Sequence, residues 1–326
     1  MRKFMILTGS LLAVVGGTLS ASADTYPSKP ITLVIPFTAG GPTDIVGRIM
    51  AERMSLLLGV QIVVENIVGA GGTTAGARIA RAAPDGYQMI MGTVGTHAQS
   101  QSLYARPQYN AAEDFTPVGL IAEVPLVLVT RKDLPVTDLA SFTAYTKANQ
   151  KAMNFAHSGA GAAVHLGCLM LNIAIGVEVT NVAYRGSTQA LNDIIGGRID
   201  YMCEVISTLA EQVKGGNLKA VALLHPQRSP TLPDLKTADE QGLKGFAAYT
   251  WNALFLPKAA PAEIVARLNG AATAAMADPS TRKRLEDLGY AIAAPERATP
   301  AYLARFVRDE IKKWEGPIKA SGVRVE

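Results

Sequence analysis

Five consecutive residues, Ile31-Thr-Leu-Val-Ile35, are apolar but for one threonine, and the chain then turns polar and glycine-bearing through Pro36-Phe-Thr-Ala-Gly-Gly-Pro-Thr-Asp44. A run this short and apolar predicts a strand buried on both faces. Pro36 ends it, because proline donates nothing to a sheet ladder. Beyond the turn, Ile45, Ile49 and Met50 recur at helical spacing, with Pro42 suited to the first helical position and Thr43 and Asp44 to the first turn. Gly40-Gly41 lets the backbone turn tightly with its amides bare. The unit is a strand, a glycine loop and a helix N-terminus, where free N–H groups and a positive dipole end can receive an anion. Taken singly, such a loop more often only packs, so its recurrence matters.

It does recur. Strands are predicted at 61–65, 87–91, 115–121, 126–130, 153–156, 178–183, 199–205, 218–224 and 247–256, and helices at 73–82, 138–150, 261–277, 280–288 and 300–314. The junctions at 157–165 and 184–188 repeat the glycine-loop design, with Gly186 and Ser187 at an N-cap, and 92–97 and 204–206 are further strand exits. Strands alternating with helices predict βαβ units and a parallel sheet. A mature chain of about 300 residues exceeds what one core usually supports. Two lobes are therefore expected, 24–124 plus 248–326 and 125–247, with the region of Pro125 as the first crossing and 247–256 leading back.

The chain opens Met-Arg-Lys, runs apolar from Phe4 to about Leu19 and reaches Ala21-Ser22-Ala23 before Asp24. This is the pattern of a cleavable secretory leader over 1–23, cut near Ala23, and predicts a soluble exported protein; an uncleaved anchor is the alternative. Losing Arg2 and Lys3 takes the 31 basic side chains to 29, against 27 acidic. That near balance, without a Lys/Arg block, points away from nucleic acid. Cys168 and Cys203 could pair in an oxidising compartment, but two buried free thiols are the expectation. With no CxxC or HExxH motif and four scattered histidines, no metal site or other cofactor is predicted.

The loops are nearly neutral, Arg185 being their one cation, which favours holding an anion by amides, hydroxyls and dipoles. A helix N-terminus contributes about 0.3–1 kcal/mol, up to roughly 2 when partly buried, and each charge-assisted hydrogen bond about 1.5–3 kcal/mol. Two such ends with three or four bonds reach the roughly 8 kcal/mol of micromolar binding. Enzyme readings fare worse. No G-x-S-x-G elbow or P-loop occurs, and Gly159-x-Gly161-x-x-Val164 lacks the third glycine of a dinucleotide fingerprint. Ser158, His165 and Glu204 could be drawn as a triad, but without the strained-elbow context. His165 could anchor its own loop or touch ligand, and Tyr184 could pack on ligand or in the hinge. His97 reads as a surface histidine, and Asn192 and Asp193 as solvated. Gly40→Val is expected to abolish binding by blocking backbone approach while leaving the fold intact.

The ordered set Pro36 to Asp44, Val64-Glu-Asn66 with Gly69-Ala-Gly-Gly72, Pro84-Asp-Gly-Tyr87, Asp114-Phe-Thr-Pro-Val118, Ser158-Gly-Ala-Gly161 with His165-Leu166, Tyr184-Arg-Gly186 and Arg228-Ser-Pro-x-Leu-Pro233 resembles the Bug family, the extracytoplasmic solute receptors of tripartite tricarboxylate transporters. The resemblance runs from about Tyr26 to Val323. It implies an α/β, type II periplasmic-binding-protein fold: two lobes, each a mixed, mostly parallel sheet flanked by helices, with a hinge between them. It further implies a non-enzymatic monomer that captures a small carboxylate for delivery to membrane transporter subunits. Carried over, the ligand-binding residues are Phe37, Thr38, Ala39, Gly40, Thr43, Asp44, Thr93 and Thr96 from lobe one. Lobe two supplies Ser158, Gly159, Gly161, His165, Tyr184, Arg185, Gly186 and Glu204. The chain departs from the family where Thr38-Ala39 replaces a usual Ala-Pro and Glu204 a common Asp. A ligand-sensing partner of a signalling protein would share the fold, and a secreted serine hydrolase is the remote alternative.

Overall fold

The computed structural model describes residues 26–158, 162–184 and 186–325. The leader, Gly159, Gly161 and Arg185 lie outside the described residues. β1 (Ile31–Ile35), α1 (Pro42–Leu58), β2 (Ile62–Asn66), α2 (Thr73–Ala80) and β3 (Gln88–Thr93) form two βαβ steps in which β1 lies parallel to both β2 and β3. β1 is buried along its length except at Thr32, and α1 lays Val46, Ile49, Met50, Met54 and Leu58 against the core, the 3.6-residue stripe its sequence carries. After β3, a helical turn at Gly95–Gln99 runs into α3 (Ser100–Leu103).

β4 (Phe115–Arg131) is one unbroken strand of 17 residues. The sequence predicts two strands flanking Pro125, but the strand passes straight through. Up to Pro125 it pairs antiparallel with β9 (Tyr249–Pro257); from Leu126 it pairs with β7 (Tyr201–Val205), and from Val127 with β8 (Leu218–Leu223). The missing proline N–H falls where one pairing partner hands over to the next. β5 (Asn154–His157) and β6 (Thr180–Ala183) extend the second sheet in parallel with β7, and β10 (Ala291–Ile292) edges the first. Along β4, Leu126 and Leu128 enter the core that continues from the first sheet, and Val127 and Val129 enter a second core on the opposite face, as a two-residue period requires.

α4 (Leu139–Asn149), α5 (Ala163–Ile175), α6 (Ser187–Ile195) and α7 (Ile206–Lys214) flank the second sheet. α8 (Ala262–Ala277), α9 (Pro279–Asp287) and α10 (Pro300–Ser321) return to the first. α7 and β10 are absent from the sequence expectation, and α10 runs seven residues past Trp314, through Pro317. No helix among the described residues is long and apolar enough to cross a membrane.

Strand direction fixes what faces what. β3 is antiparallel to β9, and β9 to β4, so β1 to β3 run with β4 toward the second sheet. β7 is antiparallel to β4, and β5 and β6 are parallel to β7, so these three run back toward the first. The carboxyl ends of both parallel sets therefore meet at the crossing.

Candidate ligand-binding site

At the end of β1, Thr38, Ala39 and Gly40 are exposed and Phe37 and Thr43 half-buried. The Gly41 N–H donates to the Thr38 carbonyl at 3.2 Å, closing a turn in which Gly40 takes φ +77°, a conformation that suits glycine. Asp44 is buried beneath this loop. Its Oδ2 accepts from the Gly40 N–H and from Arg48 Nε, both at 2.8 Å, and its Oδ1 accepts from Asn66 Nδ2 at 2.8 Å. Asn66 Nδ2 also donates to the Phe37 carbonyl at 3.0 Å. Burial alone would raise the Asp44 pKa, but the bonds from Arg48, Gly40 and Asn66 outweigh it and hold the carboxyl below its ordinary range. Asn66 is thus a loop-setting residue, and its place one strand over, beside Ile35, is a register that local sequence does not display.

At the end of β3, Thr93 and Thr96 are buried and bond each other: the Thr93 N–H donates to Thr96 Oγ1 at 2.9 Å. His97, expected at the surface, is fully buried, its ring stacked on Phe255 at 4.0 Å and its Nδ1 2.9 Å from Thr96 Oγ1. Burial pushes its pKa down to about 3, so it is a neutral core residue. The cause is the helical turn at 95–99, which swings the ring inward where an extended exit would point it out.

In the second sheet, Ser158 follows β5 half-buried. His157 and His165 stack at 3.8 Å, both buried, and burial with the neighbouring His157 pushes His165 down to about 3. Tyr184 is half-buried, and its hydroxyl donates to Asp193 Oδ2 at 2.7 Å; burial and that carboxylate push its pKa up to about 12. Asp193, expected to be solvated, is also paired with Arg198. Gly186 is the N-cap of α6. Glu204, buried at the end of β7, accepts from Ser187 Oγ at 2.5 Å and from the Val205 N–H at 2.9 Å. Burial raises its pKa against both bonds.

Cys168 on α5 and Cys203 on β7 form a disulfide with their Cα atoms 5.4 Å apart, correcting the expectation of free thiols. The bridge needs α5 to lie directly on β7, a tertiary contact that Cys spacing does not reveal.

The helix starts differ in their caps. α4, α9 and α10 are capped by the side chains of Asp138, Asp278 and Thr299, while α8 starts at Pro261 and the single-turn α3 at Gln99 without a side-chain cap bond. α1, α2, α5, α6 and α7, which start at strand exits facing the crossing, have Gly41, Gly72, Ala162, Gly186 and Val205 at their N-caps and no side-chain cap bond. Natural caps are mostly Ser, Thr, Asp or Asn, so a set of bare N-termini around one junction leaves N–H donors and positive dipole ends turned toward it. Among the described residues no group of three or more His, Cys, Asp or Glu is placed to hold a metal. Two cavities, of about 510 and 570 Å³, lie elsewhere: between α4 and α5, and beside α8.

The family model described as tripartite tricarboxylate transporter family receptor matches residues 46–323. Among solved structures, the chain is 40% identical to MatC (Rpa3494) from Rhodopseudomonas palustris with bound malate, covering 90% of this chain and 100% of that one with a TM-score of 0.81. It is 38% identical to the periplasmic binding protein BugD over 92% and 100% of the two chains, with a TM-score of 0.82. To Rpa4515 of R. palustris with adipate it is 33% identical over 92% and 99%, again with a TM-score of 0.82.

Proposed function

The chain belongs to the tripartite tricarboxylate transporter receptors, the Bug-type periplasmic binding proteins, and from that premise we propose that it captures a small aliphatic carboxylate between its lobes and carries it to transporter subunits in the membrane. The observation that supports this most is at the helix starts: every helix that begins at a strand exit facing the crossing is bare, whereas α4, α9 and α10 are capped by side chains and, of the long helices facing away, α8 alone is not. Malate and adipate, bound by the two Rhodopseudomonas relatives, are both dicarboxylates, with an anionic group for each lobe.

In this reading lobe one comprises 24–124 and 248–326 and lobe two 125–247, closing about the β4 and β9 crossing. The leader 1–23 is removed near Ala23 on export. One ligand carboxylate lies against the backbone of Phe37 to Gly40 and the first turn of α1 at Thr43, held in place by Asp44. The other end meets lobe two at Ser158, Gly159, Gly161, Arg185 and Gly186. Thr93, Thr96, His165 and Tyr184 shape the walls from behind, Thr96 and Tyr184 having their hydroxyls bonded within the protein. No reaction is assigned to the site. Glu204 bonds Ser187 and Val205 and so does not orient His165 as a triad acid would.

Isothermal titration of the mature protein with malate, succinate, adipate and citrate tests the reading. At least one should bind with a dissociation constant in the micromolar range; silence across this panel and its aromatic counterparts would refute it.

A further inference from the structure

Lobe two already holds an acidic group where the ligand's charge is to be received. Glu204 is 2% exposed, with Ser187 Oγ on one carboxyl oxygen and the Val205 N–H on the other. Ser187 is the first residue of α6 and Val205 the N-cap of α7. The carboxyl therefore sits at two helix N-termini that no capping side chain serves. Among the described residues no Lys or Arg is paired with it.

The groups packed around β7 do not neutralise it. β4 places apolar Val127 opposite Glu204, with its charged Glu123 and Arg131 toward either end. β5 contributes His157 at its end and α5 contributes His165, the latter held neutral by burial. From α6 the first titratable group is Asp193, engaged with Tyr184 and Arg198. From α7 come Glu211 and Lys214, exposed at its far end. Cys203 is in the disulfide, and Arg185 lies outside the described residues.

We propose that carboxylate capture by this protein is proton-linked: the ligand anion enters together with one proton from solvent, which converts the Glu204 carboxylate to the carboxylic acid. The inference rests on the carboxylate-receptor reading above. Two carboxylates drawing on the same helix ends at low dielectric oppose each other's ionisation, and the arrangement relaxes when one of them holds a proton. Glu204 takes it because the ligand keeps the bare amides while Glu204 is the buried partner. Burial already favours its neutral form. The neutral acid still accepts from Val205 and exchanges donor and acceptor roles with Ser187.

The test is titration of the mature protein with malate and adipate from about pH 5.5 to 9, above the ordinary carboxylate range of about 4, in two buffers of different ionisation enthalpy. The dissociation constant is expected to rise by up to about tenfold per pH unit over part of that range, the slope of one linked proton. The heats should differ between buffers by an uptake approaching one proton per ligand. Glu204→Gln should bind with a pH-independent constant and equal proton-corrected heats. Ser187→Ala, which removes a bond favouring the ionised form, should move the linkage to higher pH, and it carries the test if the glutamine variant does not fold. Intact binding that is flat with pH in the wild type, or linkage that survives Glu204→Gln, overturns the proposal. If neither diacid binds at any pH, the receptor reading itself falls and takes this inference with it.

Discussion

Asp44 shows how much of a binding loop is held from beneath. Its two oxygens take three donors, among them the Gly40 N–H, so removing its charge frees the loop and strands Arg48 and Asn66. Asp44→Asn should lower stability by about 1–3 kcal/mol, the cost of broken charge-assisted bonds, and weaken ligand binding at least tenfold; chemical denaturation and titration read the two effects separately. Because the folded pKa is depressed, this contribution is present above the unfolded value of about 4 and is lost as pH falls through the lower folded value. Wild type and variant should therefore converge in stability at acid pH. Gly40 revises an expectation. A Cβ there meets nothing within 4 Å, yet φ is +77°, so a side chain strains the backbone whether or not ligand is present. Gly40→Ala should cost about 1–2 kcal/mol of stability, seen as a lower melting temperature in the ligand-free protein.

Among the elements, the helix ends carry the proposed function and the disulfide ties α5 to β7. Gly186 caps α6 with extended backbone and open space at its Cβ position, so an acidic residue fits there. Gly186→Asp should leave the melting temperature unchanged or slightly higher, since Asp caps better than Gly by only a few tenths of a kcal/mol. It should also weaken carboxylate binding at least tenfold by supplying the anion internally. Replacing Cys168 and Cys203 by Ala opens a link across 35 residues and should cost about 4 kcal/mol in the loop-entropy account, measured as a lower denaturation midpoint. The strand–loop–helix units were legible in the sequence because each is local: the apolar run, its stop and the helix start lie within one stretch. What escaped was set by distant partners. Pro125 reads as a break until β9 and β7 supply partners on either side of it. His97 reads as exposed until the turn at 95–99 places it against Phe255, and nothing local to Asp44 shows that Asn66 arrives from β2 to hold it.

For the whole molecule, a single strand serving both sheets makes the lobes mechanically continuous. Ligand at about 100 times its dissociation constant should add roughly 2.7 kcal/mol to stability, raising one cooperative melting transition by a few degrees, and solution scattering should record a smaller radius of gyration as the lobes close. Glu123 and Arg297 brace the same region, the guanidinium donating at 2.8 and 2.6 Å to a carboxylate that is largely buried. Arg297→Met leaves that charge without its partner and should cost about 3–5 kcal/mol, read from urea denaturation. The strand order has one more consequence, for how the chain is made. β3 meets β1 on one side, but its other neighbour is β9, which starts at Tyr249. A polypeptide threaded out amino end first therefore presents an open, apolar edge until more than half of the remaining residues have emerged. Until Tyr249 follows, that edge is open to pairing with another chain.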